Sequence, residues 1–236
     1  MLEIDEIGLH FGGIHAIKEI SFSAAVGQVV GLIGPNGAGK TSLFNCITGY
    51  YRPTSGRIML DGQVISGRKP FQISRLGIRR TFQNIRLFGD LSVRANIVAG
   101  GHVLAETESS LSARCEALCG QLEIERSYLD RRSAELPYGI QRRVELARAL
   151  IAHPKILLVD EPCAGLNGAE RRLIVRILRD FAAQGTVGVI LIEHDIGMVA
   201  RACDHVVVLD RGRLLASGTP GDIRRDPAVI SAYLGN

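Results

Sequence analysis

Gly34-Pro35-Asn36-Gly37-Ala38-Gly39-Lys40-Thr41 follows the apolar run Val29-Val30-Gly31-Leu32-Ile33 and fits G-x-x-x-x-G-K-[ST] in full. The run reads as a buried strand, and a phosphate-binding loop belongs between such a strand and a helix. Glycines let successive backbone N–H groups turn inward toward phosphate oxygens, and a helix starting near Gly39 adds the positive end of its dipole. Lys40 then reaches the β- and γ-phosphates, and the Thr41 hydroxyl is placed to ligate Mg2+. The plain alternative, a glycine-rich turn with no ligand, is disfavoured by the strand before and the helix after. The stretch implies a nucleoside-triphosphate site.

The chain has 236 residues, enough for one large domain or one with an inserted subdomain. Hydrophobic residues make up 46% and charged ones 22%, which excludes a disordered chain. A net charge of +4 with only 5% aromatics and no Trp argues against a nucleic-acid partner. The five cysteines, Cys46, Cys115, Cys119, Cys163 and Cys203, are scattered and lack a second ligand pair, so they read as reduced thiols of a cytosolic protein. Apolar runs such as Val187 to Ile192 fall short of the roughly 18 residues that span a bilayer. The acidic N-terminus, Met1 to Glu6, lacks a signal core. The expectation is a soluble, cytoplasmic protein that meets a membrane only through partners.

Before the loop, Leu2 to Phe22 is β-like and broken by Gly12-Gly13, which suggests an antiparallel sheet beside the nucleotide site. Phe11 either stacks on a nucleobase or belongs to the core. After the loop we expect a helix to Gly49, a strand over Arg57 to Leu60, a helix near Pro70 to Leu76 and a strand over Ile78 to Phe82. Gln83 opens the loop Asn84-Ile85-Arg86-Leu87-Phe88; it is either a solvated loop residue or a contact to Mg2+ or the attacking water. Leu87 and Phe88 either dock a partner or pack inside.

About Ser92 to Arg132 has helical spacing, with Leu111, Cys115, Leu118 and Leu122 on one stripe. Leu136-Pro137-Tyr138-Gly139 reads as a turn, followed by a helix over Gln141 to Ala152. That helix carries Val144, Ala147, Leu150 and Ile151 on one face, with Arg142, Arg143 and Arg148 elsewhere. Ile156-Leu157-Leu158-Val159 then predicts a strand buried on both faces, with Asp160 and Glu161 at its carboxyl tip. Asp160 suits a Mg2+-associated carboxylate and Glu161 the base that orients water; the alternative is an acidic pair capping the next helix. Helices over Ala169 to Ala183 and Ile196 to Ala202 alternate with strands over Val187 to Ile192 and His205 to Leu209, so the fold class is α/β with a mainly parallel sheet. His194, just past a strand, is either structural or a γ-phosphate hydrogen-bonding group. Thr219-Pro220-Gly221-Asp222 starts a terminal helix.

In that order, the phosphate loop, Gln83, the Leu136-to-Gln141 turn, Asp160-Glu161 and His194 make the whole chain resemble the ATP-binding cassette (ABC) ATPases. The resemblance implies a P-loop core, an N-terminal antiparallel β subdomain and a helical subdomain over about residues 92–152, within one domain over 1–236. It implies ATP and Mg2+ as ligands. Gly34 to Thr41, with Ser42 after them, would bind nucleotide as the Walker A loop, and Phe11 would stack on the base. Gln83, Glu161 and His194 would be catalytic, and Thr41, Gln83 and Asp160 would face the metal. Leu136-Pro137-Tyr138-Gly139-Ile140-Gln141 corresponds to the signature L-S-G-G-Q, which meets the nucleotide of the opposite subunit. Pro137 there removes a Ser hydroxyl, while Tyr138 and Gly139 keep the nucleotide-facing places.

Ala164-Gly165-Leu166-Asn167 departs from the usual S-x-L-D. With Phe11-Gly12-Gly13 and the ending Asp226-Pro227 … Ala232-Tyr233-Leu234-Gly235, it looks like the first ATPase subunit of branched-chain amino-acid importers. Cassettes for lipopolysaccharide export or urea and amide import share much of this pattern, and a soluble non-transport ATPase is the more distant alternative. The implied partners are integral-membrane permease subunits, a second cassette in a heterodimer and, indirectly, an external solute-binding protein. The implied location is the cytoplasmic face of the membrane.

Overall fold

Ten strands and nine α-helices appear among residues 1–234, which the computed structural model describes. Gly235, the last residue of the ending noted above, lies outside them. The chain opens with β1 (Leu2–Phe11) and β2 (Ile14–Ala24), joined at Gly12-Gly13. Next come β3 (Val29–Ile33), α1 (Lys40–Ile47), β4 (Ser55–Leu60), β5 (Gln63–Val64), α2 (Pro70–Arg75) and β6 (Ile78–Arg80). β1, β2, β4 and β5 form an antiparallel sheet in the order β2-β1-β4-β5. Alternation explains its stability: Leu2, Ile4, Ile7, Leu9, Ile17, Ile20 and Ile58 are buried against α1 and the second sheet.

A helical segment follows: α3 (Val93–Gly100), α4 (Glu108–Gln121), two short 3-10 turns and α5 (Tyr138–Leu150). Ser92 and Thr107 cap the first two helices through their side chains. Asn96, fully buried, donates to the carbonyls of Phe88, Leu91 and Ser92 and to Ser133 Oγ, which anchors the loop before α3. The remaining elements are β7 (Ile156–Asp160), α6 (Gly168–Ala183), β8 (Gly188–Ile192), α7 (Ile196–Ala202), β9 (His205–Asp210), β10 (Arg213–Gly218), α8 (Pro220–Arg225) and α9 (Pro227–Leu234).

The second sheet has the order β10-β9-β3-β8-β7-β6 and is parallel apart from β10. Every residue of β3, β7 and β8 is buried, as two-sided burial demands of near-continuous apolar strands. The register sets Leu32 beside Ile192, and Ile192 beside Asp160. Three strand tips therefore share one edge.

Four local expectations need correction. The helix expected from Gln141 starts at Tyr138, because Pro137, with its fixed φ, stands at the N-cap, and Tyr138 and Gly139 become its first turn. The strand over Ile78 to Phe82 ends at Arg80, although the Thr81 N–H still donates to Leu158 O at 2.9 Å. β10 was not anticipated; it pairs antiparallel with β9 and closes that edge. Arg142, expected off the apolar face of its helix, is fully buried.

Leu158 lies in β7 at 0% exposure. Leu158→Ala should lower the unfolding free energy by about 2–5 kcal/mol. Chemical denaturation should show a lower midpoint with an unchanged slope.

Candidate functional site

Gly34 leaves β3 at φ 145°, and a Cβ there would stand 2.0 Å from the Leu209 carbonyl oxygen, so only glycine fits. Gly39 caps α1 in the left-handed region, against the Ala16 carbonyl of β2. The turn after β9 braces the loop from outside: the Gly212 N–H donates to Ala38 O at 3.1 Å, and the Lys18 N–H donates to Gly212 O at 2.7 Å. Asn36, Gly37 and Thr41 are exposed, Pro35 and Ser42 are half-buried, and Ala38 is buried. The Lys40 ammonium is buried and donates to the carbonyls of Gly34 at 2.6 Å and Pro35 at 2.9 Å. Burial pulls its pKa below the ordinary lysine value, opposed by the charges of Glu161 and Asp160. A cation already short of solvent gains most from an anionic ligand.

Across the same edge stand the carboxylates. Asp160 is buried and paired with Arg80 Nη2 at 2.8 Å, while Arg80 Nη1 donates to Asn45 Oδ1 of α1 at 2.7 Å. The Arg80 guanidinium also lies over the rings of Phe44 and Phe82, at 5.3 and 5.0 Å. Glu161 has φ 46°, a left-handed backbone that a non-glycine residue adopts at a cost, and its N–H donates to Ile192 O at 3.0 Å. That turn aims the carboxylate outward. His194 Nε2 lies 2.6 Å from Oε1 of Glu161, and Gln83 Nε2 donates to Oε2 at 2.9 Å. A carboxylate only accepts here, so the imidazole proton sits on Nε2. Glu193, buried beneath, accepts from the N–H groups of Cys163 and His194, and burial pushes its carboxyl up.

The structure thus brings Gln83, Glu161 and His194 into direct contact beside Lys40 and Asp160. The alternative reading of Asp160 and Glu161 as a helix cap does not hold: Asn167 caps α6, and Glu170 completes the capping box. Phe11 is not a core aromatic. It is half exposed at the β1–β2 turn, edge-on to Tyr51 at a ring separation of 5.2 Å. Tyr138 is exposed, whereas Gly139 is buried so close to α6 that a Cβ would meet Glu170 Oε1 at 2.2 Å. Arg142 connects Tyr138 to the Glu161 cluster, whereas the Gly139 carbonyl accepts from Arg143 Nε at 3.4 Å. Arg142 donates to Tyr138 Oη at 3.0 Å and to the carbonyls of Phe82 and Gln83 at 2.8 and 2.7 Å. Of the two residues expected either to dock a partner or to pack inside, Leu87 packs against the core and Phe88 is exposed.

Sequence reasoning missed Arg80, Arg142, Glu145 and Glu193. For Arg142 and Glu145 a signal existed in their i,i+3 spacing within a helix of mixed character. Arg80 and Glu193 offered none, since each is defined by a partner distant in sequence or by burial alone.

Comparison with known proteins fits this geometry. The ABC transporter family model matches residues 17–164, and one described as branched-chain amino acid ATP-binding cassette transporter matches residues 213–236. The high-affinity branched-chain amino acid transport ATP-binding protein BraF of Pseudomonas aeruginosa is 41% identical, over 100% of this chain and 98% of the relative. LivG of Escherichia coli K12, with the same description, is 38% identical over the same shares. A crystal structure of the ADP conformation of MJ1267, an ATP-binding cassette of an ABC transporter, superposes with a TM-score of 0.90 at 28% identity, covering 100% of this chain and 99% of the other. With the loop and carboxylates in place and relatives matched end to end, the protein belongs to the ABC transporter family, as one of its ATP-binding cassettes.

Proposed function

We infer that the protein is the ATP-hydrolysing subunit of an importer for branched-chain amino acids or related small amides, seated on the cytoplasmic face of a membrane permease. The observation that carries hydrolysis is Glu161, aimed outward from a strained turn and held on both oxygens by His194 and Gln83 beside the Lys40 loop. The solute class is supported by the match of residues 213–236 and by BraF and LivG. Among the described residues no helix is long and apolar enough to cross a membrane.

The residues act by position and charge. Loop N–H groups and Lys40 hold the phosphates, with Phe11 available to the base. Glu161 orients a water in line with the γ-phosphate and takes its proton, and His194 keeps that carboxylate aimed. The residues also fit Mg2+. Thr41 offers a hydroxyl and Asp160 a carboxylate, and the Gln83 amide nitrogen engages Glu161, which leaves its carbonyl oxygen as the hard ligand. Among the described residues no group of three or more His, Cys, Asp or Glu could cage a metal alone, as suits an ion that borrows phosphate and water ligands. Bound there, Mg2+ would neutralise charge developing on the phosphates. Glu161→Gln should abolish steady-state ATP hydrolysis of the assembled transporter while ATP affinity, read by calorimetry, stays intact.

Arg86, Phe88 and Arg148 line a cavity of about 580 Å3 that also takes in Phe82, Ala99 and His102. An exposed aromatic flanked by arginines suits an interface anchor, and the permease docks there. Phe88→Ala should leave folding and ATP binding intact and break co-purification with the permease; normal assembly and uptake of a panel of amino acids, urea and amides would reject this site.

The working dimer pairs this chain with a second cassette. Pro137 supplies no hydroxyl, so the first turn of α5, with the N–H groups of Tyr138 and Gly139, is a reduced clamp for the opposing nucleotide. A partner with a fuller signature would serve Lys40 and Glu161 better. Light scattering of the Glu161→Gln protein with ATP should show weak self-association and tight association with the partner cassette. Tight self-dimerisation without preference would overturn the heterodimer.

A further inference from the structure

Arg142 and Glu145 form an ion pair at 2.9 Å in α5, with side chains 0% and 2% exposed. Such a pair is a poor source of stability, because desolvating two charges costs about what their attraction returns. Arg142 also carries a cost of its own: its Nε–H has no partner. What the pair does hold is the loop that Gln83 opens. Arg142 Nη1 donates to the Phe82 carbonyl at 2.8 Å, and Nη2 donates to the Gln83 carbonyl at 2.7 Å and to Tyr138 Oη at 3.0 Å. Glu145 Oε1 accepts from the Arg86 N–H at 3.3 Å, three residues further along the loop. One turn on, Arg148 donates to the Arg86 carbonyl and its guanidinium lies 5.5 Å from the Phe88 ring. A single face of α5 thus grips residues 82–88, and the Gln83 side chain at one end of that grip touches Glu161.

We propose that Arg142, neutralised by Glu145, is a positioning residue for hydrolysis: it fixes Gln83 against Glu161 and ties that contact to the Tyr138–Gly139 turn, which faces the partner's nucleotide. This rests on the hydrolytic reading above. Its consequence is that a displacement of the clamp turn reaches the water-orienting carboxylate of the same subunit through these hydrogen bonds. The route is contiguous: Tyr138 Oη, the Arg142 guanidinium, the Gln83 backbone, the Gln83 amide, Glu161.

The test exploits the opposite effects of such a pair on stability and on positioning. The double variant Arg142→Met with Glu145→Leu keeps the volume and removes the tethers. In the full chain its thermal midpoint should match or exceed that of the parent, and mant-ATP affinity should change by less than about twofold. Amide hydrogen exchange measured without nucleotide should accelerate at Phe82, Gln83 and Arg86. In the assembled transporter kcat should fall about tenfold or more with KM unchanged. Parental exchange in the loop together with parental kcat, in a folded double variant, overturns the proposal. Should the double variant unfold, Arg142→Lys decides, because an ammonium can keep Glu145 but cannot span Phe82, Gln83 and Tyr138 together; parental kcat in that variant also overturns it. A parent complex that hydrolyses no ATP would sink the enzymatic reading instead, and the exchange result would still judge the tether.

Discussion

Parallel pairing of β3, β7 and β8 puts Leu32, Ile192 and Asp160 in one row, so the chain leaves the sheet at one edge three times: into Gly34, into Glu161 and into Glu193-His194. Neighbouring parallel strands lie about 4.8 Å apart, which brings the phosphate loop, the two carboxylates and the histidine within reach of one small ligand. The ladder is built from residues buried on both faces, so a slip in register would bury polar tips and expose apolar rows. That penalty holds the edge, and the edge holds the site.

Charged side chains are buried around that row, and each has a partner, although the Nε–H groups of Arg80 and Arg142 are left without one. Lys40 is satisfied by loop carbonyls, Asp160 by Arg80, Glu193 by two backbone N–H groups and Arg142 by Glu145 and the carbonyls of Phe82 and Gln83. Low-dielectric surroundings make each of these pairs directional, because an unpaired buried charge is far costlier than a misplaced exposed one. The nucleotide edge, the loop after β6 and the first turn of α5 are thereby linked through hydrogen bonds rather than through loose apolar contact. The strained backbone of Glu161 fits the same picture, being held by its N–H to Ile192 O and by two side-chain contacts.

The amino-acid sequence by itself determined the phosphate loop, the buried strand before it, the apolar strand ending in Asp160-Glu161, and the α/β alternation. These are contiguous signals in which composition and backbone conformation coincide, such as glycines where φ must be positive and an unbroken apolar run where both faces are covered. Only the tertiary structure decided that Arg80 pairs with Asp160, that Arg142 lies buried with Glu145 beneath the Gln83 loop, that Phe11 is exposed and that Leu87 turns inward while Phe88 does not. It also decided that α5 begins at Tyr138, since a proline at an N-cap and a proline in a turn look alike until the following N–H groups are placed. The physical reason is common to all of these. A buried arginine and a solvated one are the same letter, and what separates them is a partner some sixty to eighty residues away that only the folded chain delivers.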